Sequence, residues 1–137
     1  QAVKGMSAAH QIVKKGGHIL LAADCWDGIP SHGVYGELLQ SGETPTQLLD
    51  YIRHTKEPVQ DMWQAQIHTR ICKNNQVHFY SQNLTSEEIE GAFMKAMTNL
   101  ETEVEQVVGE YMLNGTERND VRICVLPEGP LTIPYLT

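Results

Sequence analysis

Residues 16–28 read GGHILLAADCWDG, and this stretch decides the fold class. Between two glycines and an Asp/Gly-rich close lie six residues, 18–23, of which only His18 is polar. A run that short and that apolar is a strand covered on both faces, as in a parallel sheet, because a half-exposed strand would alternate polar and apolar side chains. Upstream, Val3, Met6, Ala9, Ile12 and Val13 recur at helical spacing over residues 3–15, and Gly16-Gly17 stops that helix as glycines past a C-terminus do. Downstream, helices are expected over 33–39 and 46–54, the second opened by Thr44-Pro45 as cap and first-turn proline. After Pro58, residues 59–73 carry Met62, Ala65, Gln66, Ile67 and Cys72 as an amphipathic helix, and Asn74-Asn75 leads into a second strand at 76–80. Thr85-Ser86-Glu87-Glu88 has the form of a capping box. It opens a long helical region through Leu113, striped by Ile89, Phe93, Met97, Leu100, Val104, Val107, Val108 and Tyr111, with a break near Thr98-Asn99. Asn114-Gly115 ends it, and 121–126 (VRICVL) is the expected third strand. Strands separated by helices of this length imply crossover connections, so the expectation is an α/β chain: one three-layer α/β/α domain over residues 1–137 with a small, mostly parallel sheet. Three strands make a thin sheet, and a further strand upstream of Gln1 would fit. The Pro/Gly-rich stretch 127–134 is expected to pack on a neighbour.

Composition narrows the partners. Seventeen acidic against ten basic residues leave a net charge of −7, and no basic patch offers itself to nucleic acid or an anionic membrane surface. No apolar run approaches the roughly 18 residues of a membrane helix, and no charged-then-apolar leader opens the chain. Cys25, Cys72 and Cys124 are odd in number, widely spaced, and in or beside apolar segments. They are expected to be reduced and mostly buried, which suits the cytoplasm. Gln1 is no initiator and a helix begins at once, so a domain cut from a longer parent is expected.

The chemistry readable from spacing is sparse. Gln1 and Lys4 lie three apart at the start of a helix, on one face and near a helix end that favours anions, where a carboxylate would fit. A solvated lysine and an idle glutamine would read the same way. Asp24, Asp27 and His32 follow the first strand, where ligands bind in parallel sheets. Their spacing matches no metal signature, and loop aspartates commonly cap turns. Trp26 and Trp63 could wall a pocket or serve a core or an interface. His10, His18, His54, His68 and His78 are dispersed without a HxxxH or HExxH pattern, as surface or hydrogen-bonded histidines are. No GxSxG elbow or phosphate-binding glycine loop is present.

Taken in order, residues 1–6 (QAVKGM), Gly16-Gly17 through Asp24-Cys25 with Asp27-Gly28, residues 61–66 (DMWQAQ) and the closing Pro127-Glu128-Gly129-Pro130 resemble the C-terminal domain of nickel-dependent lactate racemases and related 2-hydroxyacid racemases, over nearly the whole chain. The resemblance implies an active site between two domains and a nickel pincer nucleotide tethered to a lysine of the chain's own N-terminal domain. Hydride transfer from C2 of a small 2-hydroxyacid and its return to the other face would invert the centre. It implies that Gln1 and Lys4 contact the substrate carboxylate, that Trp63 lines the site, and that this domain provides no cofactor-binding or metal-ligating residue, so that alone it is inactive. Asp24 stands where the family often has glutamate, and residues 114–120 read as an insertion, so the particular 2-hydroxyacid stays open. The competing reading is a non-catalytic organic-acid-binding or regulatory module on the same scaffold, since fold alone does not fix function.

Overall fold

A computed structural model describes residues 2–30 and 34–133, except the side chain of Pro130. The expected helix-then-strand rhythm is realised as α1 (Ala2–His10), β1 (His18–Ala22), α2 (Tyr35–Gln40), α3 (Pro45–His54), α4 (Met62–Asn74), β2 (Gln76–Tyr80), α5 (Ser86–Gly91), β3 (Lys95–Ala96) and α6 (Leu100–Leu113). The sheet has three strands in the order β1-β2-β3, all parallel, with His18 opposite Gln76 and Ala22 opposite Tyr80.

Side-chain alternation sorts the helices onto two faces. Ile19 and Leu21 of β1 and Val77 of β2 meet Val3, Met6 and Ala9 of α1 and Ile67 and Ile71 of α4 in one apolar cluster. On the opposite face His18 and His78 lie under α6, which supplies Glu103 and Tyr111. This is the three-layer arrangement expected. A second cluster of Leu38, Leu39, Leu48, Ile52, Met62, Ala65 and Ala92 binds α2 and α3 to the outer side of α4. α4 is therefore buried on two sides and acts as the spine of its layer. The predicted caps are present: Thr44 accepts from Gln47 N with Pro45 in the first turn, and Thr85 and Glu88 form the reciprocal capping box.

Three expectations fail. The third strand is not 121–126, which lies outside the sheet; its place beside β2 is taken by β3, where Met97 N continues the pairing to Phe79 O. The helical region predicted through 85–113 is broken earlier than Thr98-Asn99. Phe93 adopts φ +61 just past α5, and Asn99 then caps α6 by accepting from Thr102 N. Ile89, Phe93 and Met97 fit a helical stripe, but the open edge of β2 claims residues 95–97, and hydrogen bonding to an existing strand overrides local periodicity. Finally, Cys124 is exposed and the other two cysteines half-buried, because the segment carrying Cys124 joins no core.

The helix–strand connections decide where the functional groups go. α4 enters β2 through Asn75 alone, and α1 enters β1 through residues 11–17. Gly16 N donates to Asn74 O and Gln76 N to Gly17 O, while buried Asn75 donates to Lys14 O and Gly17 O and its amide oxygen meets His10 Nδ1 at 2.8 Å. The C-terminal ends of α1 and α4 are thus tied together at the amino edge of the sheet. Each helix runs back along the strand it feeds, so the first turns of both lie at the carboxyl edge.

A candidate carboxylate site at the carboxyl edge

Three segments converge on this edge. The loop after β1 leaves the ladder once Ala23 N has bonded Tyr80 O. Ser81 Oγ donates to Asp24 O at 2.7 Å, and Asn83 Nδ2 donates to both Asp24 O at 2.9 Å and Asp24 Oδ1 at 2.8 Å. Asp24 is thereby consumed in bracing the loop, the structural role that loop aspartates commonly take. Beyond it Cys25 sits at φ +50, a turn closes from Gly28 N to Cys25 O, and Trp26 is left 78% exposed. Burial pushes the Cys25 thiol above its usual range, which argues against a thiolate nucleophile here. Asp27 is exposed in the same turn. His32, the third member of the predicted loop group, lies outside the described residues.

Lys4 occupies the first turn of α1 with its side chain exposed and no acidic residue in that turn. A cation at the positive end of a helix is unfavourable by itself, and an anion placed beside both would relieve it. Gln1 lies outside the described residues. Trp63 projects from the first turn of α4, 63% exposed, two residues after Asp61, which holds φ +63 at the N-cap. The closing Pro127-Glu128-Gly129-Pro130 backs α1: its 3₁₀ turn Gly129–Leu131 packs on that helix, and a Cβ on Gly129 would come within 3.3 Å of the Cα of Gly5. The turn thus approaches α1 closely at Gly5, and a side chain on Gly129 would crowd that backbone. The last of the quoted motifs therefore lies against the helix that carries the first.

Lys4 and the indoles of Trp26 and Trp63 are all exposed. Among the described residues no three His, Cys, Asp or Glu side chains are grouped so as to hold a metal ion. A surface depression of about 450 Å³ between α2 and α5 is lined by Glu37, Glu87 and Glu88, which suits a carboxylate ligand poorly.

Three of the histidines dispersed in sequence, His18, His68 and His78, join hydrogen-bonded groups inside the domain. His18 Nδ1 lies 2.9 Å from His78 Nε2, and His78 Nδ1 lies 2.6 Å from Glu103 Oε1, which also accepts from Lys95 Nζ at 2.8 Å. Burial opposes ionisation of Glu103, but hydrogen bonds from Lys95 and His78 hold its carboxyl below the ordinary range, so His78 Nδ1 donates to a carboxylate. Burial and the adjacent His78 hold His18 below the usual histidine value. His68, similarly lowered by burial, bridges the Tyr35 hydroxyl at 2.9 Å and Ala92 O at 2.7 Å. These links went unread in the sequence; the available signal was His18 and His78 standing inside otherwise apolar strands, where an unpartnered imidazole would be costly.

The family model described as "Lactate racemase C-terminal domain" matches residues 1–133. A lactate racemase of Thermoanaerobacterium thermosaccharolyticum is 33% identical over 131 residues and one of Lactiplantibacillus plantarum 32% identical over 133, each alignment covering 94% of this chain and 29% of the relative. The chain therefore spans less than a third of the length of these curated relatives. The solved structure of the lactate racemase apoprotein from T. thermosaccharolyticum superposes with a TM-score of 0.72 at 28% identity, over 82% of this chain and 27% of that one.

Proposed function

From the membership of this chain in the lactate racemase C-terminal domain family, we infer that it is one domain of a longer racemase acting on lactate or another small 2-hydroxyacid, and that its carboxyl edge holds the substrate carboxylate. The observation that carries this reading is the exposed Lys4 in the acid-free first turn of α1, on the edge shared by Trp63 and the loop braced by Asn83. A racemase must let C2 become planar and accept a substituent from either face while the rest of the molecule stays in place. A lysine pairing with the carboxylate supplies that fixed point, and Gln1, the residue before α1, would add a neutral donor to the same group. Trp63 would present an apolar face that excludes water beside the reacting carbon.

The family resemblance assigns hydride acceptance to a nickel pincer nucleotide and proton transfer to histidines, both on the N-terminal domain. The described donor set of this chain does not fit nickel. Nor do its buried histidines fit a proton-transfer role at this edge, since their ring nitrogens are engaged inside the domain. The domain alone is expected to be inactive, and the reaction is expected in the cytoplasm.

The test is racemisation of L-lactate and a panel of 2-hydroxyacids by the full-length cofactor-loaded protein and its Lys4→Ala variant. Loss of a charge-assisted contact worth about 1.5–3 kcal/mol predicts a fall of roughly 10- to 100-fold in kcat/KM, partly restored by Lys4→Arg. Equal rates in wild type and Lys4→Ala would remove Lys4 from the site. No racemisation of any acid by the loaded wild type would favour the non-catalytic binding module instead.

A further inference from the structure

Among the described residues, six of the eleven large hydrophobic side chains left exposed fall within residues 112–133, so their unburied apolar surface is concentrated on the chain's return path after α6. Its centre is 121–126. Val121, Ile123 and Val125 alternate with Arg122, Cys124 and Leu126, a period of two in which one face is wholly β-branched, the pattern of a strand. Ile123 is nonetheless 61% and Val125 76% exposed, and no residue of 122–126 is hydrogen-bonded to another described residue. Both ends of the segment are fixed. Arg118 makes two hydrogen bonds to the Glu105 carboxylate of α6, and Gly129–Leu131 packs on α1.

We propose that residues 121–126 are a docking strand, which adds to an open sheet edge in the remainder of the full-length protein and buries Ile123 and Val125 there. The proposal rests on the reading that the chain is one domain of a longer protein, supported by its covering 29% of the length of its curated relatives. A strand tethered to the domain on both sides has less freedom to lose on docking than a free peptide, and its unpaired N–H and C=O groups are the means by which β-augmentation gains affinity. A second copy of this chain is the poorer occupant, because two domains each carrying a charge of −7 repel. A strand left bare with this composition would also invite aggregation, which natural proteins avoid by covering such edges.

Amide hydrogen exchange on the full-length protein tests this directly. The peptide spanning 121–126 is expected to exchange at least about 100-fold more slowly than an unstructured chain, and the Cys124 thiol to react slowly with a soluble disulfide reagent although it is exposed in this domain. Ile123→Lys, at a position that supports nothing within the domain, is expected to abolish the protection of 121–126 while leaving that of β1 and β2 intact. Fast exchange with rapid Cys124 labelling in the wild type would overturn the proposal, as would protection that appears only with concentration-dependent dimerisation. Because the readout is exchange and not turnover, a protected but inactive protein would refute the racemase reading and leave the docking strand standing.

Discussion

Removal of the Glu103 carboxylate should be the most damaging polar substitution in the domain. The side chain is 8% exposed and accepts from His78 Nδ1 at 2.6 Å and Lys95 Nζ at 2.8 Å. In Glu103→Ala, Lys95, whose side chain is 53% exposed, regains water and costs little. His78, with a side chain 1% exposed, cannot, and its Nδ1–H is left unpaired in the core. An unsatisfied buried donor costs about 1–3 kcal/mol and the lost charge-assisted bond adds to this, so a destabilisation of about 2–4 kcal/mol is expected. With a urea m-value of about 2 kcal/mol/M, the unfolding midpoint should fall by roughly 1–2 M. Glu103→Gln retains an acceptor for His78 and should fall between wild type and Glu103→Ala. The sign of the pH dependence follows from the direction of the shift. The folded carboxyl titrates below its ordinary value of 4.5, so its contribution is present above that value and is lost as pH falls through the folded one. The gap between wild type and Glu103→Ala should therefore narrow in acid. A midpoint for Glu103→Ala within error of wild type, or Lys95→Ala costing as much as Glu103→Ala, would refute the reasoning.

Other outcomes follow from the same geometry. His18 and His68 both titrate below 6.5 in the folded protein; the unfolded chain therefore takes up protons first as pH drops, and urea midpoints should decline between pH 7.5 and 5.5, with a shallower slope in His68→Gln. Gly129→Val places a branched side chain where even a Cβ meets the Gly5 backbone at 3.3 Å; a loss of about 1–3 kcal/mol is expected in thermal denaturation, and an unchanged Tm would mean the turn does not bear on α1. Thr85→Ala removes one half of the capping box and should cost about 1 kcal/mol. Substituting Arg118, in an exposed ion pair with Glu105, should leave the unfolding midpoint unresolved from wild type.

Much of the domain was legible because the deciding signals are local. The glycine-bounded apolar run of β1, the amphipathic stripes of α1 and α4, and the caps at Thr44 and Thr85 each act over a few residues. Lys4 could be singled out by position and resemblance and Trp63 by resemblance, and each stands in the first turn of its helix, α1 or α4. Asp24 was ambiguous between ligand and brace, and only its bonds to Ser81 and Asn83, far along the chain, decide for the brace.

By itself the sequence determined the α/β class, the parallel strands β1 and β2 and the caps, since periodicity, glycine stops and side-chain capping are properties of neighbouring residues. Tertiary structure alone decided which segment becomes the third strand. Residues 95–96 and 121–126 compete on composition, and 121–126 is the better strand by propensity. The outcome turned on which backbone reaches the open edge of β2, and pairing across that edge depends on where the helices deliver the chain. The same holds for the line from His18 through His78 to Glu103 and Lys95: four residues spread over 86 positions share one buried charge only because parallel pairing and the seating of α6 bring them together.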